Sequence, residues 1–376
     1  MKNIIYEYSI IEDTLFEQYV INTPKLHKYF KNDWNTLKSK QYCGILNFEN
    51  QDYYLLPKIS KKDDNTNLNV FIYMLMKAYN VKLDNEDFAS CKNEAHNILE
   101  VFIQIFAQKL IKEFKRGIYK EYITEQNNLT TLRGKYLINE NLKHNFTNAK
   151  IYCEYDEFSE NNILNQFFLY AIKTLLLFTK NKILLKQCEL ILNEVENLNF
   201  DIKKLQLHFN RLNNRFKDSF DFAMLLLNKS VPLFNKDKKS FAFLFDMNEL
   251  FEKFIGEIYK DIDNSTRLQT QKIFGNLVLK PDIITSIMII DTKYKKVKDK
   301  SDLSTADKYQ MFVYGSNFNI KDTMLLYPQH IQKIGDNLEL GEGSKMVKLK
   351  MRSVDLDFEG VYDEFVEEMK ERLKKI

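Results

Sequence analysis

Residues 277–295, LVLKPDIITSIMIIDTKYK, constrain this chain more than any other segment, because they combine a dense apolar face with charge on the same short element. Ile, Val and Leu dominate both halves, the composition of half-buried or buried strands. The segment reads as two strands, 277–284 and 287–294, joined by a tight turn at Thr285 and Ser286. With a two-residue turn Ile284 faces Ile287, and Asp282 stands opposite Ile289. Alternation along the second strand then brings Asp291 and Lys293 to the face that carries Asp282. Two carboxylates and a lysine therefore project together, with Pro281 fixing the backbone just before Asp282.

That trio has a chemical use. Paired carboxylates hold a hard divalent cation such as Mg²⁺ or Mn²⁺, which keeps several waters. A cation of this kind makes water easier to deprotonate, and a nearby lysine can orient it or offset charge developing on a phosphate. A surface hairpin with merely solvated charges would show the same short pattern. The flanking helices favour chemistry.

Whole-chain properties set the limits. A length of 376 residues predicts two or three domains, and only 10 Gly and 5 Pro argue against long flexible linkers and glycine-rich nucleotide loops. The formal net charge of +3 means that any nucleic-acid surface must be a local patch. Cys43, Cys91, Cys153 and Cys188 are scattered without a CxxC pair, as in reduced structural thiols of a cytoplasmic bacterial protein, and no zinc site is expected. The His residues are equally dispersed. The N-terminus, MKNIIYEYSI, is no signal peptide, and no run reaches membrane-spanning length, so no membrane is expected. The most apolar stretch, 167–178, is interrupted by Lys173 and reads as a buried helix. GEGSK near the C-terminus lacks P-loop spacing, so this chain is expected to bind no nucleotide.

Residues 1–85 read as a small β-rich module, with a hairpin built from GILNF and DYYLLP, a polar loop over 60–68 and a helical pattern over 69–79. Partner binding is its natural role, and a plain structural cap is the alternative. Residues 86–237 read as mainly helical. Over 95–113 the apolar positions Ile98, Val101, Phe102, Ile105, Phe106, Leu110 and Ile111 follow the 3.6-residue period, and 164–178 and 183–195 repeat it. Within TLRGK, Gly134 marks a turn while Arg133 and Lys135 add positive charge. Arg211 and Arg215 share a face if that segment is helical. These four cations are DNA-contact candidates, or ordinary solvated or salt-bridged groups.

Residues 238–376 hold the hairpin. Ahead of it, FAFLFDMNELFEKFIGEIY predicts an apolar lead-in and a helix from about Asn248, with a buried stripe of Leu250, Phe251, Phe254, Ile255 and Ile258. Glu252 lies near the margin of that stripe, where it either reaches a site beside the sheet or is an ordinary exposed Glu, whereas Glu249 points away. Behind the hairpin, Lys295 and Lys296 begin a basic run that could track a phosphate backbone. The helix ADKYQMFVYGSNF follows, with Gln310 and Tyr314 on one face. Strands in TMLLYP and KMVKLKMRSVDL and a charged helix over 359–375 close the chain. The expected class is α/β, as a multi-domain α+β arrangement, with a mixed sheet in the C-terminal core.

A helix with Glu252, a hairpin with P-D and D-T-K, and a helix with Q-x-x-x-Y, in that order, resemble the PD-(D/E)XK nuclease superfamily, particularly its RecB-like branch. YYLLPKIS, LRGK, YDEFSENNILNQ, FLFDMNELFEKF, KPDI, DTKYK and YQMFVY together look like the McrC family of nuclease subunits of McrBC-type restriction systems, including its LlaJI-like branch. The resemblance implies metal ligation by Glu252, Asp282 and Asp291, water positioning by Lys293, and support from Gln310 and Tyr314. It implies Mg²⁺ or Mn²⁺ as cofactor, double-stranded DNA as substrate, and a hexameric McrB-like AAA+ GTPase as partner, stimulated by the N-terminal part of the nuclease subunit. A stand-alone RecB-like exonuclease and a non-catalytic regulator of the motor are the alternatives.

Overall fold

A computed structural model of the chain describes residues 3–33, 36–48, 51–59, 63–81, 98–145, 149–233, 240–329 and 332–376. It divides into two compact units, one formed by 1–96 with 232–376 and the other by 97–231. Cys91 lies outside the described residues; Cys43, Cys153 and Cys188 are buried free thiols. Among the described residues no helix is long and apolar enough to cross a membrane.

The first unit contains two main sheets. In one, the expected N-terminal hairpin forms between Tyr42–Phe48 and Gln51–Leu56, and Ile4–Tyr6 runs parallel to the latter. On its other side Tyr42–Phe48 pairs antiparallel with Phe241–Asp246, so the segments read as N-terminal module and C-terminal core share this sheet. The seam is tight at Gly44, which pairs with Leu244 at φ +142. A Cβ there would lie 2.1 Å from the Phe243 carbonyl oxygen. The segment 1–60 also holds a helix, Thr14–Ile21, capped by Asp13, whose short length leaves little periodic signal. The helix after the hairpin, Asp64–Ala78, starts five residues before the predicted 69. Asp63 caps it by accepting from Thr66 N at 2.7 Å, so polar residues that read as loop form its first turns.

The second main sheet has six strands, in the spatial order Arg267–Leu268, Ile283–Ile284, Ile289–Thr292, Asp322–Pro328, Val347–Val354 and Asn337–Leu340. Ile289–Thr292 pairs antiparallel with Ile283–Ile284 and parallel with Asp322–Pro328. The helix Thr305–Asn317 covers one face of this sheet, and Met311 and Tyr314 join Ile289, Leu325, Tyr327, Leu349 and Met351 in its core. Three other helices, Asp64–Ala78, Met247–Ile262 and Tyr362–Lys374, pack together. Phe254 stacks on Phe365 at 5.6 Å between ring centroids, and the Tyr73 hydroxyl donates to the Gly360 carbonyl at 2.8 Å.

In the second unit the expected helices are present as Ile98–Lys115, Ile163–Leu175 and Ile183–Ile191, joined by Lys217–Lys229. The unit also holds a sheet in which Glu121–Leu129 and Lys135–Tyr136 flank Ile151–Ser159. Its strands are largely polar, so their sequence carries little strand signature. Gly134 makes the predicted turn at φ +68. Arg211 and Arg215 do not share a helix: Arg211 lies in a turn, and Arg215 in the short 3-10 segment Asn214–Phe216. Arg215 donates to the carbonyls of Glu113 and Gly117, capping the end of the Ile98–Lys115 helix, and its guanidinium lies 4.5 Å from the Phe216 ring centroid.

Two substitutions test these constraints by chemical denaturation. Gly44→Ala is expected to cost at least about 2 kcal/mol, because the strained backbone and the blocked seam act together. Arg215→Ala is expected to cost about 1–3 kcal/mol through the lost carbonyl contacts. Wild-type stability in either variant would contradict the role given to that residue.

Candidate active site

The Glu252 helix, Met247–Ile262, begins where the strand Phe241–Asp246 ends, and the Asp246 carboxylate caps it by accepting from Asn248 N at 2.9 Å. Leu250, Phe251, Phe254, Ile255 and Ile258 are all buried, as their spacing predicts. Glu252, at the margin of this stripe, is half-buried and points into a cavity of about 280 Å³ with Asp282, Asp291, Lys293, Gln310 and Tyr314. The six residues predicted for the centre of the site are therefore brought together.

The hairpin register differs from the expected one. Ile284 pairs with Ile289 and Ile283 with Ile290, so the connection is the four residues from Thr285 to Met288. The Thr285 hydroxyl organises it, accepting from Met288 N at 3.0 Å and donating to the Met288 carbonyl at 3.1 Å. Extending this register sets Asp282 across from Asp291 instead of Ile289. Because the slip is two residues, the side chains keep their faces. The first strand is also shorter than predicted: Leu277–Leu279 pairs with Lys272–Phe274 in a separate hairpin, and Pro281, which has no N–H to give a ladder, stands before Ile283–Ile284.

Each functional group is held by a neighbour. Asp282 Oδ2 accepts from Thr292 N at 2.8 Å and from Thr292 Oγ1 at 3.0 Å. Lys293 is anchored in the sheet by its backbone N–H to the Leu326 carbonyl at 2.9 Å, and its Nζ lies 2.6 Å from Asp291 Oδ2. At that distance the ammonium engages the buried Asp291 Oδ2 directly. Lys293 Nζ also donates to Gln310 Oε1 at 3.1 Å. Gln310 Nε2 in turn donates to the Tyr314 hydroxyl at 3.1 Å, which donates to the Lys280 carbonyl at 3.2 Å. Helix and hairpin thus fix the ammonium from both sides.

The electrostatics follow from three carboxylates sharing one recess. Burial, then the charges of Asp282 and Asp291, push the Glu252 carboxyl up to about 7. Burial, then Asp282, push Asp291 up to about 6, and burial also raises Asp282 against its bonds from Thr292. Burial works against the Lys293 charge, but Asp291 and Asp282 outweigh it and the ammonium is held above its ordinary range. The donors are all oxygen, which suits Mg²⁺ or Mn²⁺ and not a thiolate-seeking metal. Among the described residues no three such groups close around a single point as placed. The Gln269 amide instead donates to both Glu252 and Asp282. By the chemistry of this all-oxygen, acidic donor set, Glu252, Asp282 and Asp291 could hold a hard divalent cation.

The outer cations behave differently. Lys295 pairs with Asp307 at 2.6 Å, and Lys296 is exposed. In the second unit Arg133 lies 3.3 Å from Glu157 with its guanidinium over the Tyr155 ring, and Lys135 lies 3.1 Å from Glu154. Gln269, Thr292 and Lys280 also belong to the site, although the sequence reading gave none of them a role in it. Thr292 lay in view within D-T-K, whereas Gln269 depends on the pairing of Leu268 with Ile283.

A raised carboxyl pKa means that the folded chain takes up protons more readily than the unfolded one, so stability falls as pH rises through the window between the two values. Without metal, the Glu252 contribution is lost between the ordinary 4.5 and about 7. Glu252→Gln is expected to flatten the decline in melting temperature across that window. An unchanged slope would mean that Glu252 does not share the recess with Asp282 and Asp291.

The family model described as McrBC 5-methylcytosine restriction system component matches residues 37–328. No curated protein matches the sequence. Among solved structures, one similar chain comes from the refined half-complex of a tetradecameric assembly of Thermococcus gammatolerans McrB AAA+ hexamers with bound McrC. It is 22% identical with a TM-score of 0.62, and the match covers 99% of each chain. Another, from the cryo-EM structure of the Thermococcus gammatolerans McrBC complex, is 24% identical with a TM-score of 0.51, covering 69% of this chain and 87% of that one. At these identities the likeness is one of fold. The family match spans most of the chain, which belongs to the McrBC 5-methylcytosine restriction system component family.

Proposed function

We propose that this chain is the nuclease subunit of an McrBC-type restriction system, hydrolysing phosphodiesters of double-stranded DNA with Mg²⁺ or Mn²⁺ at the Glu252, Asp282, Asp291 and Lys293 site. The observation that carries this reading is the convergence of three carboxylates on a lysine whose ammonium is fixed by Asp291 and Gln310. Family membership supports a role in restriction.

Glu252, Asp282 and Asp291 would hold the cation. Such a cation, when bound, offsets charge on the phosphate and eases deprotonation of water. Lys293 orients the attacking water and stabilises charge that develops at phosphorus. The water oxygen forms a new bond to phosphorus as the ester P–O bond breaks, and the departing oxygen takes up a proton. Gln310 and Tyr314 do not touch the reacting atoms; they keep the Lys293 ammonium from turning away. Lys295, which pairs with Asp307, and Lys296 are candidates to follow the DNA backbone, and Arg133, Lys135 and Arg211 are further candidates. Arg215 has a structural task in hand.

McrC bound to McrB AAA+ hexamers in Thermococcus gammatolerans supports an AAA+ hexamer as partner here; on this reading the partner is a GTPase that translocates DNA and is stimulated by this chain. A cytoplasmic location accompanies this reading.

The test is DNA cleavage with Mg²⁺ by wild type, Asp291→Ala and Lys293→Ala, each with and without the AAA+ partner and GTP. Cleavage is expected only from wild type with partner and GTP, and Lys293→Ala is expected to lose about 10²–10³-fold in rate. Cutting by the lone wild-type chain would instead indicate a stand-alone nuclease. Stimulated GTP turnover without any cutting would indicate a non-catalytic regulator.

A further inference from the structure

One polar side chain bonded to the acidic cluster has no part in the chemistry described above. Gln269 follows the strand Arg267–Leu268, which pairs with Ile283–Ile284, and so stands beside Asp282. Its backbone N–H donates to the Asp282 carbonyl at 2.9 Å. Its φ of +48 is in the left-handed region, uncommon for a residue other than glycine, so the side chain is aimed by an unusual backbone. From there Nε2 donates to Glu252 Oε1 and, at 3.3 Å, to Asp282 Oδ1. Carboxylates on both sides call for the NH₂ end of the amide, since its carbonyl end would be repelled.

We propose that Gln269 is a positioning residue: it bridges Glu252 and Asp282 in the metal-free chain and must give way when a divalent cation enters between them. The inference rests on the metal-site reading above. The amide offers two N–H donors to the oxygens whose lone pairs a cation would take, so amide and cation compete for one place. The amide also does for this pair what Lys293 does for Asp291, supplying positive charge density to crowded carboxylates. The cluster therefore stays assembled without metal, and the first step of loading is rotation of Gln269.

The experiment is calorimetric titration of the full chain with Mn²⁺, comparing wild type, Gln269→Met, Gln269→Ala and Asp291→Asn, with melting of each metal-free protein alongside. Gln269→Met keeps the volume but removes the donors. A hydrogen bond to a charged group is worth roughly a factor of ten in an equilibrium, so Gln269→Met is expected to bind Mn²⁺ about tenfold tighter than wild type. The same variant is expected to melt lower without metal, and a residue with only a structural role would not produce these opposite changes. Equal or weaker Mn²⁺ binding by Gln269→Met and Gln269→Ala, with binding abolished by Asp291→Asn, would overturn the role of Gln269 and leave the metal site standing. Absence of Mn²⁺ binding in wild type and in both Gln269 variants would overturn the metal site and this proposal together. Should Gln269→Met not fold, Gln269→Asn, which draws the amide back by one methylene, must also bind tighter.

Discussion

Crowding of like charge at Asp291 is the constraint around which the first unit is arranged. This carboxylate is 1% exposed, in the middle of a sheet, with two other acids sharing its recess. A buried charge of this kind is tolerated only where fixed partners offset it. Lys293 supplies the opposite charge from the adjacent strand position, Thr292 ties down Asp282, and Gln269 spans the remaining gap. None of these contacts is a strong argument for stability, since buried ion pairs seldom repay their desolvation. Their effect is to keep acidic groups at closer quarters than they would choose.

The scaffold explains how that arrangement survives. Glu252 comes from a helix whose opposite side is locked into a three-helix layer, so the acid cannot retreat without unseating Phe254 from Phe365. Asp291 comes from a strand paired on both sides, Lys293 follows directly after it and is tied by its N–H to Leu326, and Gln310 and Tyr314 come from a helix whose Met311 is fully buried. Rigid elements on both walls give the recess its shape, and the polar groups only complete it.

The site was legible in the sequence because its members lie on strongly periodic elements. The stripe from Leu250 to Ile258 fixes which way Glu252 faces, and alternation through Ile289, Asp291 and Lys293 fixes a face even when the register is misjudged by two. What escaped was set by contacts between distant segments or by polar side chains acting on the backbone. The Thr285 hydroxyl lengthened the hairpin loop, Asp63 started a helix inside a polar run, and Arg215 left a helix face to close the end of another helix. The sheet of the second unit was hidden by strands such as EYITEQNNL, which bury little and so lack an apolar rhythm. The pairing of Tyr42–Phe48 with Phe241–Asp246 carries no local signal at all.

That same pairing bears on the order in which the chain can fold. Tyr42–Phe48 leaves the ribosome long before its partner Phe241–Asp246, and the whole second unit, 97–231, is made in between. Until then one edge of an apolar strand is unpaired, an invitation to association with other chains. The inserted unit has its own core and can form while the first unit waits. The strand that finally closes the N-terminal sheet leads directly into the Glu252 helix, so the acidic recess is assembled last. A nascent chain of this kind therefore has no finished acidic recess until synthesis is almost complete.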